Sequence, residues 1–204
     1  MTKQTNEKGF TLIELIITIA ILAVLVTVLV VAINPAEQLQ RSRDTKRVGD
    51  LEALKTALNL YLAQATTTIN LGGGNACVGS TTIRLYTNTT GAIATSSTFC
   101  PTCTTVNAST SQTVGAAGWM PARIDQTPGG APISILPLDP TNGTGNSGTY
   151  YYSYICDVTG GVKNYELGAT LESTYFTSDL DIDGTDGGNQ NTRYEVGTDP
   201  NLDL

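Results

Sequence analysis

The chain has 204 residues, 11 Lys and Arg against 18 Asp and Glu, a formal net charge of -7 and no histidine. The acidic balance gives no reason to expect a nucleic-acid partner. The missing histidine excludes Ser-His and Cys-His nucleophile pairs and His-ligated metals. Only 14% of residues are charged, against about 25% in ordinary globular proteins.

Leu15 to Ile33 reads LIITIAILAVLVTVLVVAI, 19 residues without a charge. As a helix rising about 1.5 Å per residue it reaches roughly 28 Å, the thickness of a bilayer core. Its many β-branched residues weaken a helix in water, but in lipid the backbone must satisfy itself and helix is the expected form. The run is longer than the ~7–15 residues of a removable secretory h-region, and no A-x-A site follows it. It is therefore expected to stay in the mature protein. Lys3 and Lys8 precede it and Arg41, Arg43, Lys46 and Arg47 follow it. Charge counting thus gives no clean orientation, and taken alone it opposes an exported C-terminal part.

Glu14 stands at the mouth of this apolar run. Thr11-Leu12-Ile13-Glu14 matches the S/T-x-x-E capping box, and a carboxylate suits a helix N-terminus. The alternative is that Glu14 needs a cationic partner within a membrane or a packed bundle. Lys8-Gly9-Phe10-Thr11-Leu12-Ile13-Glu14, followed directly by the uncharged run, resembles the class III leader of type IV pilins and type II secretion pseudopilins. The resemblance is strong over the leader and first helix and weaker in the tail. It implies cleavage by a prepilin peptidase between Gly9 and Phe10, N-methylation of Phe10, and pairing of Glu14 with the α-amino group of Phe10 on a neighbouring subunit. It implies an α+β, pilin-like fold in which a long N-terminal helix packs on a small antiparallel β-sheet head. It also implies a homo-oligomeric filament built by an assembly platform. The protein would start as a single-pass cytoplasmic-membrane protein anchored by residues 15–33 with an extracytoplasmic head, and end in a pilus or at the cell surface. It would not be an enzyme and would need no organic cofactor. A secretion or DNA-uptake pseudopilin is the nearest alternative. A membrane-anchored, Ca²⁺-dependent adhesin that never polymerises is the alternative of another class.

On this reading the chain divides into a cleaved leader (1–9), a membrane and filament-core helix (10–34), an amphipathic helix entering the head (35–65), a variable loop region (66–149) and a C-terminal hairpin, sheet and acidic tail (150–204). Val48, Leu51, Leu54, Leu58 and Tyr61/Leu62 recur every three or four residues, an amphipathic stripe, with Asp50, Glu52 and Lys55 between them. At Asn34-Pro35 either Asn34 caps a second helix with Pro35 at its first position, or Pro35 kinks a continuous one. The cluster Arg41, Arg43, Lys46, Arg47 is expected to be solvated or to face lipid headgroups.

Thr66-Thr67-Thr68 should end the helix and Gly72-Gly73-Gly74 should loop. Thr81 to Thr87 has strand composition, and Trp119, Met120 and Ile124 are core candidates. Tyr150 to Cys156 is a β-prone run. Thr159-Gly160-Gly161 then reads as a turn, and Val162 to Leu167 as the returning arm of a hairpin. This region, with Leu138-Asp139-Pro140 before it, resembles the C-terminal sheet of major G-type pseudopilins.

Two constellations could carry chemistry. Asp179-Leu180-Asp181-Ile182-Asp183-Gly184, with Asp186 close behind, offers alternating carboxylates and a glycine bend to a hard cation such as Ca²⁺. Gln190 stands where an EF-hand would place its bidentate Glu, so only Glu195 could close the site, through a longer loop. The plain alternative is a solvated acidic tail. The resemblance favours a structural Ca²⁺, which major pseudopilins hold in a C-terminal loop. The second constellation is Cys77, Cys100, Cys103 and Cys156. Cys100-Pro101-Thr102-Cys103 lacks the βαβ setting of a thioredoxin-like site, and a Cys₄ zinc site would want a second close pair. Disulfides are the expectation in an exported head, with three pairings open. The N-x-[ST] matches at Asn88, Asn107 and Asn142 carry little weight in so Thr-rich a chain.

Overall fold

The computed structural model describes residues 9–64, 69–72, 83–87, 103–142, 150–157 and 163–198. The chain forms two compact units, one ending at Leu39 and one starting at Gln40.

In the first unit, α1 (Leu12–Ile33) is a 22-residue helix with no buried residue. It is long and apolar enough to cross a membrane. Thr11 begins it in extended geometry, and its hydroxyl accepts the Glu14 N–H at 3.3 Å. That satisfies one of the orphan donors of the first turn. Thr18 and Thr27 turn their hydroxyls back onto the carbonyls of Leu15 and Ala23, each at 2.8 Å. Asn34 ends α1 with a left-handed φ of 45°, a conformation asparagine tolerates better than most residues. Its Oδ1 accepts the Glu37 N–H at 3.5 Å, so the same residue caps α2 (Pro35–Gln64) with Pro35 at the first helical position. Of the two readings of Asn34-Pro35, the capped second helix holds.

The second unit is an α+β head. α2 buries Leu51, Leu54, Ala57, Leu58 and Tyr61. They pack on a five-stranded sheet in the order β2-β1-β3-β4-β5, made of β1 (Ile83–Thr87), β2 (Cys103–Ala108), β3 (Tyr152–Asp157), β4 (Asn164–Ala169) and β5 (Tyr194–Gly197). The run from β1 through β3 and β4 to β5 is antiparallel. β2 adds at the edge in parallel with β1. The period of two places Tyr152, Tyr154 and Cys156 of β3 opposite Ala169, Leu167 and Tyr165 of β4. All six belong to the core beneath α2.

The tyrosines do more than fill space. Tyr152 donates to Asp50 Oδ2 at 2.7 Å, Tyr165 to Asn59 Oδ1 at 2.8 Å and Tyr194 to Glu52 Oε1 at 3.2 Å. Each lays an apolar ring against the core and meets a polar side chain of α2 with its hydroxyl. Trp119, Met120 and Ile124 are core, as their composition suggested, and Trp119 Nε1 donates to the Pro137 carbonyl at 2.9 Å.

The sheet is not confined to the C-terminal segment. The stretch expected to be a variable loop supplies β1, β2 and buried Trp119, Met120, Ala122, Ile124 and Leu136. Its apolar residues are too scattered to show a period. The expected turn at 159–161 and the start of the returning arm at Val162 lie outside the described residues, as do Thr66-Thr67-Thr68.

Candidate assembly segment, ion clamp and acidic loop

Gly9 and Phe10 precede the first turn of α1, and Phe10 is 83% exposed. Both residues are exposed and outside regular structure, so the peptide bond between them is uncovered. Glu14 is exposed in the first turn, where its charge favours the positive end of the helix dipole. One of the two bonds of the capping box is made, and α1 behind it presents only apolar side chains and self-satisfied threonines.

The basic cluster behaves differently from expectation. Lys46 is exposed, but Arg47 is completely buried. Arg47 donates from Nε to Asp139 Oδ2 at 2.6 Å and from Nη2 to Asp139 Oδ1 at 3.0 Å. Its Nη1 meets Asp44 Oδ1 at 2.8 Å and Glu172 Oε1 at 2.5 Å, and the guanidinium lies 4.9 Å from the Tyr150 ring centroid. Arg43 forks onto Glu172, with Nε to Oε1 at 3.0 Å and Nη2 to Oε2 at 2.5 Å. Asp44 accepts the N–H groups of Glu172 and Ser173 and the Ser173 hydroxyl, at 3.0, 2.7 and 2.7 Å. Arg41 stacks 4.4 Å from the Tyr175 ring centroid. Three of the four cations are therefore engaged by side chains of the head, Arg47 buried and Arg41 and Arg43 half-exposed, where solvated or lipid-facing groups were expected. A buried charge survives only when paired and hydrogen-bonded, and here three carboxylates meet that condition. Burial pushes the Glu172 carboxyl up, but hydrogen bonds from Arg43 and Arg47 prevail and hold it below the usual range.

Sequence reading missed this clamp because Asp139 and Glu172 lie 92 and 129 residues from the arginines they meet. A faint signal existed. Leu138-Asp139 and Leu171-Glu172 each set a lone acid directly after an apolar residue in a nearly uncharged stretch.

The acidic loop follows a single π turn, Tyr175–Asp179. Asp179 is exposed at its end, and Asp181 is exposed with a left-handed φ of 49°. Asp183 is buried, 5% exposed, and its Oδ1 has no hydrogen-bond partner. Asp186 accepts the N–H groups of Gly188 and Glu195 at 2.8 and 2.6 Å. Glu195 on β5 is 1% exposed, accepts the Gln190 N–H through Oε2 at 3.1 Å and leaves Oε1 without a partner. A Cβ at Gly184 would stand 2.6 Å from Asp181 Oδ1, so any larger residue there would displace that exposed carboxylate. Burial raises the Asp183 carboxyl, reinforced by the charges of Asp181 and Asp186. Burial also raises Asp186, and burial with the nearby charge of Asp186 pushes Glu195 up to about 7. The donors are all oxygen, and two buried carboxylates hold an orphaned oxygen, which suits a hard cation. Among the described residues, however, no three acidic, His or Cys side chains converge as a ligand set.

Cys156 is buried on β3 and disulfide-bonded. Cys77 and Cys100, like the side chain of Cys103, lie outside the described residues.

Residues 4–30 match the prokaryotic N-terminal methylation motif family. The N-terminal segment is that of a type IV pilin or pseudopilin precursor. The match covers the leader and most of α1, and it implies processing by a prepilin peptidase. The motif leads into an apolar helix of spanning length, which fits a membrane anchor. No curated protein and no solved structure matches the chain.

Proposed function

We propose that this chain is a structural subunit of a type IV pilus-like filament, cut between Gly9 and Phe10, N-methylated at Phe10 and assembled from the cytoplasmic membrane with its head on the outer side. The supporting observation is the methylation motif leading directly into a 22-residue apolar helix with no buried residue. Such a surface needs lipid or other helices around it. In the filament the α1 helices of successive copies bundle, and Glu14 pairs with the Phe10 ammonium group of a neighbour. A buried ion pair of this kind sets register more than it adds stability.

The test is N-terminal analysis and intact mass of material sheared from cells that carry the peptidase. A chain beginning at methylated Phe10 in the fibre fraction is expected. A chain still beginning at Met1, found in membranes alone, would instead favour the non-polymerising anchored adhesin. Processed chain confined to the cell envelope would point to a pseudopilus of a secretion or DNA-uptake system. Glu14→Ala should be processed normally and yield at least tenfold less fibre; wild-type yield would leave Glu14 with its capping role only.

A second reading concerns the tail. The proposal is that Asp179, Asp181, Asp183 and Asp186, joined by Glu195, hold a structural Ca²⁺. The orphaned oxygens of Asp183 and Glu195 support it, together with carboxyl groups pushed up by burial and by one another. Bound cation would relieve that repulsion and order the loop. The unfolding temperature of the full chain in detergent should rise by several degrees in excess Ca²⁺ relative to EDTA. Equal melting in both would remove the metal from the account.

A further inference from the structure

We propose that Arg41, Asp44, Arg47 and Asp50 form a register code that fixes where α2 lies along the head. Their charges alternate at a spacing of three residues, and each meets a partner of the matching kind. Arg41 lies against the Tyr175 ring. Asp44 accepts two N–H groups and a hydroxyl from Glu172 and Ser173. Arg47 is held by Asp139 and Glu172. Asp50 accepts the Tyr152 hydroxyl.

The need for such a code follows from the apolar stripe. The core has places for Leu51, Leu54, Ala57, Leu58 and Tyr61. A slip of three residues one way would fill the first four places with Leu54, Ala57, Leu60 and Tyr61, all apolar. Non-directional packing discriminates poorly between that arrangement and the observed one. A slip of three the other way is excluded by the core itself, because it brings Lys55 into the fully buried place of Leu58. Slips of four are excluded in the same way, because they bring Arg47 or Lys55 into the place of Leu51.

The polar stripe rejects what the apolar stripe accepts. Either three-residue slip puts an aspartate, Asp44 or Asp50, where Arg47 sits between Asp139 and Glu172. Either also puts an arginine, Arg41 or Arg47, where Asp44 faces three donors. Every charge at these two buried places would be inverted, and like charges in a low-dielectric site are strongly unfavourable. The clamp thus excludes the competing register whether or not it adds net stability to the correct one. This inference rests on the head alone and is independent of the filament assignment.

The experiment uses full-length chain in detergent, with nitroxides attached through p-acetylphenylalanine at exposed Thr56 and Lys163, and distances read by double electron–electron resonance. Wild type and Arg47→Lys should give one distance. The neutral variant Arg41→Gln/Asp44→Asn/Arg47→Met/Asp50→Asn/Asp139→Asn/Glu172→Gln should unfold cooperatively yet show a second distance population. The second population should be displaced as a three-residue screw demands, about 4–5 Å along the helix with a rotation of about 60°. If that variant does not fold, Arg41→Gln/Asp44→Asn/Arg47→Gln/Asp50→Asn, which neutralises the stripe on α2 and leaves its partners in the head untouched, is read in the same way. A single unchanged distance in the folded neutral variant, or in the α2 variant where that is the one that folds, would overturn the proposal.

Discussion

α1 and α2 are consecutive helices with opposite solutions to the same problem. α1 carries one charged residue in 22 and buries nothing within its own chain. α2 is rich in charge, yet two of its seven buried residues are Asp44 and Arg47. The first is an apolar cylinder that must find its surroundings outside the molecule. The second finds them inside, and uses charge to choose among nearly equivalent ways of packing. Apolar area supplies most of the driving force in a core, whereas directional, signed contacts choose which of several apolar solutions is taken.

The contrast can be broken at either helix. The largest effect belongs to the segment before α1. Gly9→Val should abolish processing, leaving a precursor with the mass of the uncut chain in the membrane fraction; a normal fibre yield from this variant would remove the leader assignment. Next comes the clamp. Arg47→Ala strips buried Asp44 and Asp139 of their cation and leaves Glu172 to Arg43 alone, and removing one partner of a buried ion pair costs about 3–5 kcal/mol. Chemical denaturation of the head should show a loss of that order, while processing at Gly9 stays normal. A loss below about 1 kcal/mol would place Arg47 among ordinary surface pairs.

The smallest effect sharpens the comparison through pH. The Glu172 carboxyl is held below its ordinary value because hydrogen bonds from Arg43 and Arg47 outweigh its burial. A carboxyl depressed in the folded state contributes stability that is present above its unfolded value, near 4.5, and lost as pH falls through the folded value. Head stability should therefore drop below about pH 4.5, and Glu172→Gln should flatten that part of the profile. α1 holds no comparable buried acid, so its helicity by far-UV circular dichroism in lipid should be insensitive over the same range.

How much of this was legible follows the same division. α1, its cap at Thr11 and the break at Asn34-Pro35 depend on neighbours within four residues, and the sequence shows them directly. The stripe Leu51, Leu54, Leu58 and Tyr61 is as plain, because one helix face decides it. β3 could be read from its β-prone, tyrosine-rich composition, and β4 as the arm that returns after a turn signal. The clamp could not, since a cluster of arginines looks the same whether its counter-charges are solvent ions or acids 92 and 129 residues away. The parallel pairing of β1 with β2 was hidden for a related reason: five- and six-residue strands of mixed polarity have no local feature that names their partner. In the acidic loop, the D-x-D-x-D-G pattern located the cluster of carboxylates. It did not foresee that Asp186 would spend both oxygens on backbone N–H groups, or that Glu195 would stand buried beside it.

The two threonines of α1 carry a last consequence. With both hydroxyl protons given to carbonyls of the preceding turn, the helix beyond Glu14 offers a neighbour no donor, and a second copy has none to give to its threonine oxygens. A rod of this kind resembles a ruler with a single mark at one end. Two such rods lying side by side can slide or rotate against each other over many turns with nothing but side-chain shape to resist. Whatever fixes their relative height must act at that one mark, so an error of one turn there would be carried undiminished along the whole length.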